Sequence, residues 1–343
     1  MILGDLGADV LKIERPGVGD DTRGWGPPFD ENGLSAYYLS VNRNKLSVAA
    51  DLELGQDVAW LRQLIAGADV VVDNFRRGTL ERRGLDPAAL LREHPRLIWC
   101  TITGFGAGSA RPGYDFVVQA ESGWMAITGE AHGGPMKVGV ALVDVMAGKD
   151  AAIAVLAALA ARPGGRTPEE RHLHVSLAHS ATAALVNVAQ NALVSGREST
   201  RWGNAHPNLV PYELFEALDR PIVIAVGNDA QFAACARALG LASLAEDPRY
   251  ALNAGRIEHR VAVVGAIRER VRTQPAAAWL RALEQAGVPC GVVKPVLEAL
   301  REVEASPLTG VAPMAPGTVR RPPPALDAHG ALVRARGWDA FRD

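Results

Sequence analysis

The sequence predicts an α/β protein built on a mostly parallel sheet, and three observations carry that expectation. Short runs rich in β-branched residues, at 9–13 (DVLKI), 69–72 (DVVV) and 97–102 (LIWCTI), alternate with longer helical patterns. Each run is followed by a loop holding Gly, Pro or Asn, the punctuation expected where a buried strand ends. A chain of 343 residues, 48% of them hydrophobic, is long and apolar enough to bury one large core or two.

Taken in order, MILGDLGA reads as the last turns of a helix ending at Gly7, so the chain is expected to begin partway through a βα unit, with its first strand missing. Between the first two strands, 56–66 sets Val58, Leu61, Leu64 and Ile65 on one face and stops at Gly67, which predicts a crossover helix with a C′ glycine. The apolar run 151–161 falls short of the about 20 residues that span a bilayer, and reads as a buried helix. From about Asn208 the texture changes. PYELF gives a helix-like or extended lead, 222–226 a strand, and Asn228 or Asp229 a cap for a helix through Ala238. A smaller α/β domain is therefore expected at 206–299, with 1–205 and 300–343 forming the large one. The proline-rich segment 313–324 reads as an extended return.

Composition excludes several classes of function. The 36 basic and 38 acidic side chains nearly cancel, so no sustained positive field is available for nucleic acid. Cys100, Cys235 and Cys290 lie far apart without CxxC spacing, which suits three reduced thiols. No secretory signal or membrane span is visible, and a cytoplasmic location follows. His172, His174 and His179 include an HxH pair, but no carboxylate or cysteine completes a ligand set, so no metal is expected. GFGAG at 104–108 lacks both the spacing of a dinucleotide fingerprint and a helix directly after it.

The runs LGADVLKIERPGVGDDTRGWGPPF, NRNKLSVAADL, VVDNFRRGTLERRGL, GYDFVVQAESGWMAITG and VALVDVMAG resemble the class III (CaiB/BaiF-type) CoA-transferases, formyl-CoA transferase among them. The resemblance continues through RWGNAHPNLVPYELF, AVGNDAQFAACARALG and RRPPPALDAHG, and so covers essentially the whole chain. It implies a large Rossmann-like, CoA-binding domain made from both chain ends, a small middle domain, and a homodimer whose chains interlock like rings. It also implies CoA and acyl-CoA as substrates rather than resident cofactors, with a small carboxylic acid as acceptor. Family members carry a further strand and βα loop before LGDLGADV.

The residue readings follow. Asp144 stands at the start of the apolar helix, where unpaired backbone N–H groups favour an ionised carboxylate. On the local pattern alone it could be simply an N-cap. The family's nucleophilic aspartate aligns with it, which implies an enzyme–acyl anhydride, then an enzyme–CoA thioester, then transfer of CoA to the acceptor. Asp115 stands where formyl-CoA transferase has a glutamate near the active site, implying a supporting electrostatic role, although Asp after Gly113 also suits a plain turn. In the related racemases a histidine precedes that aspartate. Here the triplet is Gly113-Tyr114-Asp115, and a tyrosine with a pKa near about 10 is a poor general base. The resemblance assigns CoA to Arg15, Ala50, Asn74, Phe75, Arg76, Arg82, Gly113 and Tyr114, and reduces the substrate loop to Gly203 and Asn204. Leu177 is either a CoA contact or core, and Asp150 a surface helix charge. Two other readings stay open: an α-methylacyl-CoA racemase or epimerase, and a truncated non-catalytic CoA-binding subunit.

Overall fold

In this computed structural model, which describes residues 1–162, 165–313 and 316–342, the chain forms two units. Met1–Trp124, Val138–Gln190 and Leu300–Asp343 make the first; Met125–Lys137 and Asn191–Ala299 make the second. Residues 314 and 315 of the proline-rich return lie outside the described residues.

In the first unit the β-branched runs pair in parallel. β1 (Val10–Glu14) lies beside β2 (Lys45–Ala49), with Ile13 opposite Val48. β3 (Val70–Asp73), β4 (Ile98–Thr103) and β5 (His172–Ser176) form a second parallel sheet in that order. The connecting helices are α1 (Ala36–Val41), α2 (Gly55–Ala66), α3 (Pro87–Glu93), α4 (Asp115–Glu121), α5 (Leu142–Ala160) and α6 (Leu177–Ala183). Leu61 and Leu64 from α2 and Leu90 from α3 join Leu46, Val48 and Trp99 of the strands in one core cluster. A second cluster joins Val118 of α4, Val143 and Ala147 of α5, and Leu177 and Ala181 of α6, which places Leu177 in the core. Burial of a Val or Leu side chain contributes about 1.5–3 kcal/mol, so Val118, Val143 and Leu177 fix α5 against its neighbours.

The apolar helix opens at Leu142, two residues ahead of the Asp144 start read from the sequence, with Val143 and Ala147 buried in the second cluster. The structure departs from the sequence reading in two places. Gly67 ends α2 at φ −94°, an ordinary right-handed value. A side chain there would meet the Trp338 indole at 3.0 Å, so glycine serves close packing rather than a left-handed turn. The return segment is tied down by Asn44, whose amide donates to Thr318 O (2.9 Å) and accepts from the backbone of Arg320 (2.6 Å) and Arg321 (3.0 Å).

One buried ion pair organises the loop after β1. Glu14, 1% exposed in its side chain, accepts from Arg23 Nη2 (2.7 Å) and Nε (2.8 Å), from Ser47 Oγ (2.6 Å) and from Asp20 N (3.0 Å). Arg23 also donates to the Tyr38 hydroxyl (2.6 Å), and that hydroxyl donates to Pro324 O (3.0 Å). Burial opposes the charge on Glu14, but these hydrogen bonds win and hold its carboxyl below the usual range.

The second unit is an antiparallel sheet, β6 (Tyr212–Glu216), β7 (Pro221–Ala225) and β8 (Cys290–Val292), with Phe215 opposite Ile222. The lead segment is thus a strand. α7 (Asp229–Ala238) is capped by the Asn228 side chain, which accepts from Gln231 N at 2.9 Å. With α8 (Arg260–Val271) and α9 (Ala276–Gln285) it packs Phe232, Val263 and Trp279 on Ile222 and Ile224.

Glu14→Ala is expected to destabilise the fold by about 3–5 kcal/mol in urea denaturation, because it leaves the Arg23 guanidinium buried without its partner. The depressed Glu14 pKa adds a sign. Its contribution is present above the ordinary glutamate pKa and is lost as pH falls through the lower folded value, so the difference between wild type and variant should shrink in acid.

Candidate active site

The sequence between 137 and 141 forms no strand, and α5 starts after Ala141, which offers no side chain to its free N–H groups. Those groups still need acceptors. Asp115, the first residue of α4, supplies one: its Oδ1 accepts from Val143 N at 2.8 Å and from Asp144 N at 3.3 Å. Its Oδ2 accepts from Gln119 Nε2 at 2.6 Å, and Gln119 Oε1 accepts from Val138 N at 2.9 Å. Gln119 is fully buried, so the arrangement is rigid. Asp115 is therefore the N-terminal cap of a helix 28 residues further along the chain.

Asp144 lies inside the first turn of α5 and is not its cap. Its side chain is exposed and, among the described residues, its carboxylate accepts no hydrogen bond. Partial loss of hydration, and second the Asp115 carboxylate, push its pKa up to about 6. At neutral pH such a group is still ionised by about ten to one. The result is an accessible, unencumbered carboxylate that is more basic than an ordinary aspartate.

Tyr37 and Trp25 were not singled out from the sequence. Tyr37 of α1 has its hydroxyl pushed above its ordinary value, first by burial, then by Asp144 and Asp115, so it shares the field of both carboxylates. Trp25 packs edge-on against it, ring centroids 4.9 Å apart. Both residues are more than two-fifths exposed; an aromatic in a Gly/Pro-rich loop (RGWGPPF) was the available signal for Trp25, and none marked Tyr37.

Of the candidate CoA residues of this unit, Arg15, Ala50 and Asn74–Phe75–Arg76 directly follow the carboxyl ends of parallel strands, where open α/β sheets hold ligands. Arg15 follows β1 and pairs with Asp21. Ala50 follows β2, is buried, and donates its N–H to Glu14 O at 2.9 Å, which joins these two loop starts. Asn74, Phe75 and Arg76 follow β3 and are exposed, while Arg82 ends a short helix and its Nη1 folds back over Gly78. Gly113 and Tyr114 precede α4, with Tyr114 66% exposed. Gly113 touches Gly104 just after β4. A Cβ on either would fall 2.3–2.5 Å from the other's Cα, so only glycine lets these two backbones cross. Gly203 and Asn204 belong to the second unit, exposed, with Gly203 at φ +58°.

Two remaining candidates resolve simply. Asp150 is more than a surface charge, since it accepts from Ser180 Oγ at 2.6 Å and ties α5 to α6. The His172 and His174 rings face each other at a tilt of 36° with centroids 4.1 Å apart, and among the described residues no group of three or more His, Cys, Asp or Glu side chains is arranged to hold a metal.

Comparison with known proteins gives consistent matches. The CoA-transferase family III pattern covers residues 1–334. Succinate–glutarate CoA-transferase of Agrobacterium fabrum is 43% identical over 305 residues, spanning 87% of this chain and 76% of the relative. Acetyl-CoA:oxalate CoA-transferase of Acetobacter aceti is 38% identical over 302 residues, spanning 87% and 77%. The crystal structure of a CAIB/BAIF family protein from Brucella suis is similar with a TM-score of 0.81 at 37% identity, covering 97% of this chain and 93% of that one.

Asp115→Ala should cost about 1–3 kcal/mol in denaturant unfolding, since it strands the helix N–H groups and the Gln119 amide. Asp115→Asn keeps an oxygen for the helix but turns an amide toward Gln119. It should lose about half as much.

Proposed function

Because this chain belongs to CoA-transferase family III, we propose that it moves CoA from an acyl-CoA donor to a small carboxylic acid through covalent intermediates on Asp144. The observation that carries this reading is the free, exposed Asp144 carboxylate at about pKa 6 beside a second carboxylate fixed by the backbone. An oxygen of Asp144 attacks the thioester carbonyl, the C–S bond breaks, and CoA leaves as thiolate with a mixed anhydride left behind. The thiolate then attacks the Asp144 carbonyl and releases the donor acid, giving an aspartyl-CoA thioester. The acceptor carboxylate repeats the first attack on that thioester, and the freed thiolate takes the acceptor's acyl group and restores Asp144. No proton need enter or leave, which suits a site without a positioned general base.

Relatives named for succinate, glutarate and oxalate support a small mono- or dicarboxylic acceptor. CoA is assigned to Arg15, Ala50, the Asn74–Phe75–Arg76 loop, Arg82, Gly113 and Tyr114, and the reduced substrate loop to Gly203 and Asn204. An interlocked homodimer belongs to the same reading. The exposed apolar side chains Leu193 (76%), Val194 (79%), Val296 (74%) and Leu297 (70%) support burial against a second copy. Among the described residues no helix is long and apolar enough to cross a membrane. The three free thiols suit a reducing, cytoplasmic setting.

Incubation with succinyl-CoA, trapping with hydroxylamine or borohydride, and peptide mass spectrometry should find the adduct on Asp144 and none in Asp144→Ala. Binding of CoA without any adduct, together with deuterium exchange at the α-carbon of a branched acyl-CoA, would instead favour a racemase. With an ionised nucleophile required, kcat/KM for the donor should fall about tenfold per pH unit below about 6. Asp115→Asn removes a neighbouring negative charge, which lowers the Asp144 pKa and should move that acid limb to lower pH.

A further inference from the structure

We propose that Asp73 is a positioning residue that fastens the Asn74–Phe75–Arg76 loop in its CoA-receiving conformation, an inference that rests on the CoA site proposed above. Asp73 closes β3 and is the last residue before that loop. One oxygen faces the loop: Oδ1 accepts from Phe75 N at 2.9 Å. The other faces the sheet: Oδ2 accepts from Trp99 Nε1 and from Thr101 Oγ1, both at 2.7 Å. Trp99 is 1% exposed, so its indole N–H has no water to turn to if Asp73 is lost. The chain of hydrogen bonds continues, because Thr101 Oγ1 lies 3.1 Å from His172 Nε2. Thr101 has one hydroxyl hydrogen and gives it to Asp73, so His172 must supply the hydrogen between them. A carboxylate that accepts three hydrogen bonds, two from adjacent β4 side chains, is a fixed point. By holding Phe75 N–H it transfers that fixity to an exposed loop whose other side chains, Asn74 and Arg76, make no hydrogen bond among the described residues.

Nothing in this arrangement touches Asp144, so Asp73 should act on binding and not on the chemical step. Asp73→Asn separates its two jobs. The single amide oxygen satisfies the buried Trp99 and Thr101 donors, whose loss costs most, and the amide nitrogen is turned against Phe75 N–H. The loop is then released while the sheet contact survives.

The test measures Kd for free CoA by calorimetry, and KM and kcat with succinyl-CoA and glutarate, for wild type, Asp73→Asn and Arg76→Ala. Asp73→Asn is expected to raise the CoA Kd and succinyl-CoA KM about tenfold, with kcat within about twofold and the melting temperature retained. If Arg76→Ala weakens CoA binding and Asp73→Asn does not, the positioning role is overturned while the CoA site stands. If neither variant changes CoA binding, the CoA site itself is misassigned and this inference falls with it. A kcat that drops in step with stability would mark Asp73 as merely structural, which also overturns the proposal. Should Asp73→Asn fail to fold, Thr101→Val withdraws one anchor of the carboxylate and is expected to raise the CoA Kd about threefold; an unchanged Kd would overturn the role.

Discussion

The contact between Asp115 and the amino end of α5 is the constraint on which the candidate site depends. A helix of this length leaves several N–H groups unpaired at its start, and Ala141 at the cap position cannot accept from them. Had Asp144 been the cap, its carboxylate would have been spent on the backbone. Asp115 takes that duty from α4, held by a fully buried glutamine that is itself tied to Val138. The cost falls on the helix interior: two carboxylates share one helix end, and the one without hydrogen bonds carries the raised pKa.

The loops that follow β1 and β3 are held by buried charge. Glu14 ends β1 and grips Arg23, two residues before Trp25, while Arg23 grips Tyr38, the residue after Tyr37. A single ion pair therefore sets the path of a loop rich in glycine and proline that has little core of its own. Such a pair is a weak source of net stability and a strong source of geometry, because breaking it on one side leaves an uncompensated charge. Asp73 repeats the device at the end of β3, with a tryptophan and a threonine in place of the arginine.

Much of the framework was legible in the sequence. The β-branched runs at 9–13, 69–72 and 97–102 became β1, β3 and β4, each displaced by one position toward the carboxyl end. The Asn228 cap and the helix after it were read from residue types alone. β2 and β5 went unassigned: Lys45–Ala49 is short and half polar, and His172–Ser176 carries two histidines, so neither shows an apolar run. At the site, the local pattern offered Asp144 only as a helix cap and the family resemblance singled it out, while its relation to Asp115 was beyond any local pattern. That contact spans 28 residues and joins a side chain to a backbone N–H that every residue except proline possesses. The Glu14 and Asp73 arrangements were hidden for the same reason, since hydrogen bonds between distant side chains leave no periodicity.

The energetics of the proposed reaction explain why a partly dehydrated carboxylate would be worth its cost. A thioester's leaving thiolate belongs to an acid of pKa about 8.5, while an ordinary aspartate has a pKa near about 3.9, so the attacking group is much the weaker base. A tetrahedral adduct formed under those terms returns to reactants by expelling the carboxylate. Raising Asp144 to about 6 narrows that gap by roughly half while leaving the group ionised at neutral pH. A still higher value would begin to protonate the nucleophile, and a lower one would restore the mismatch. Partial dehydration of one carboxylate, with a second charged carboxylate held beside it by backbone donors, is a simple way to reach that intermediate value.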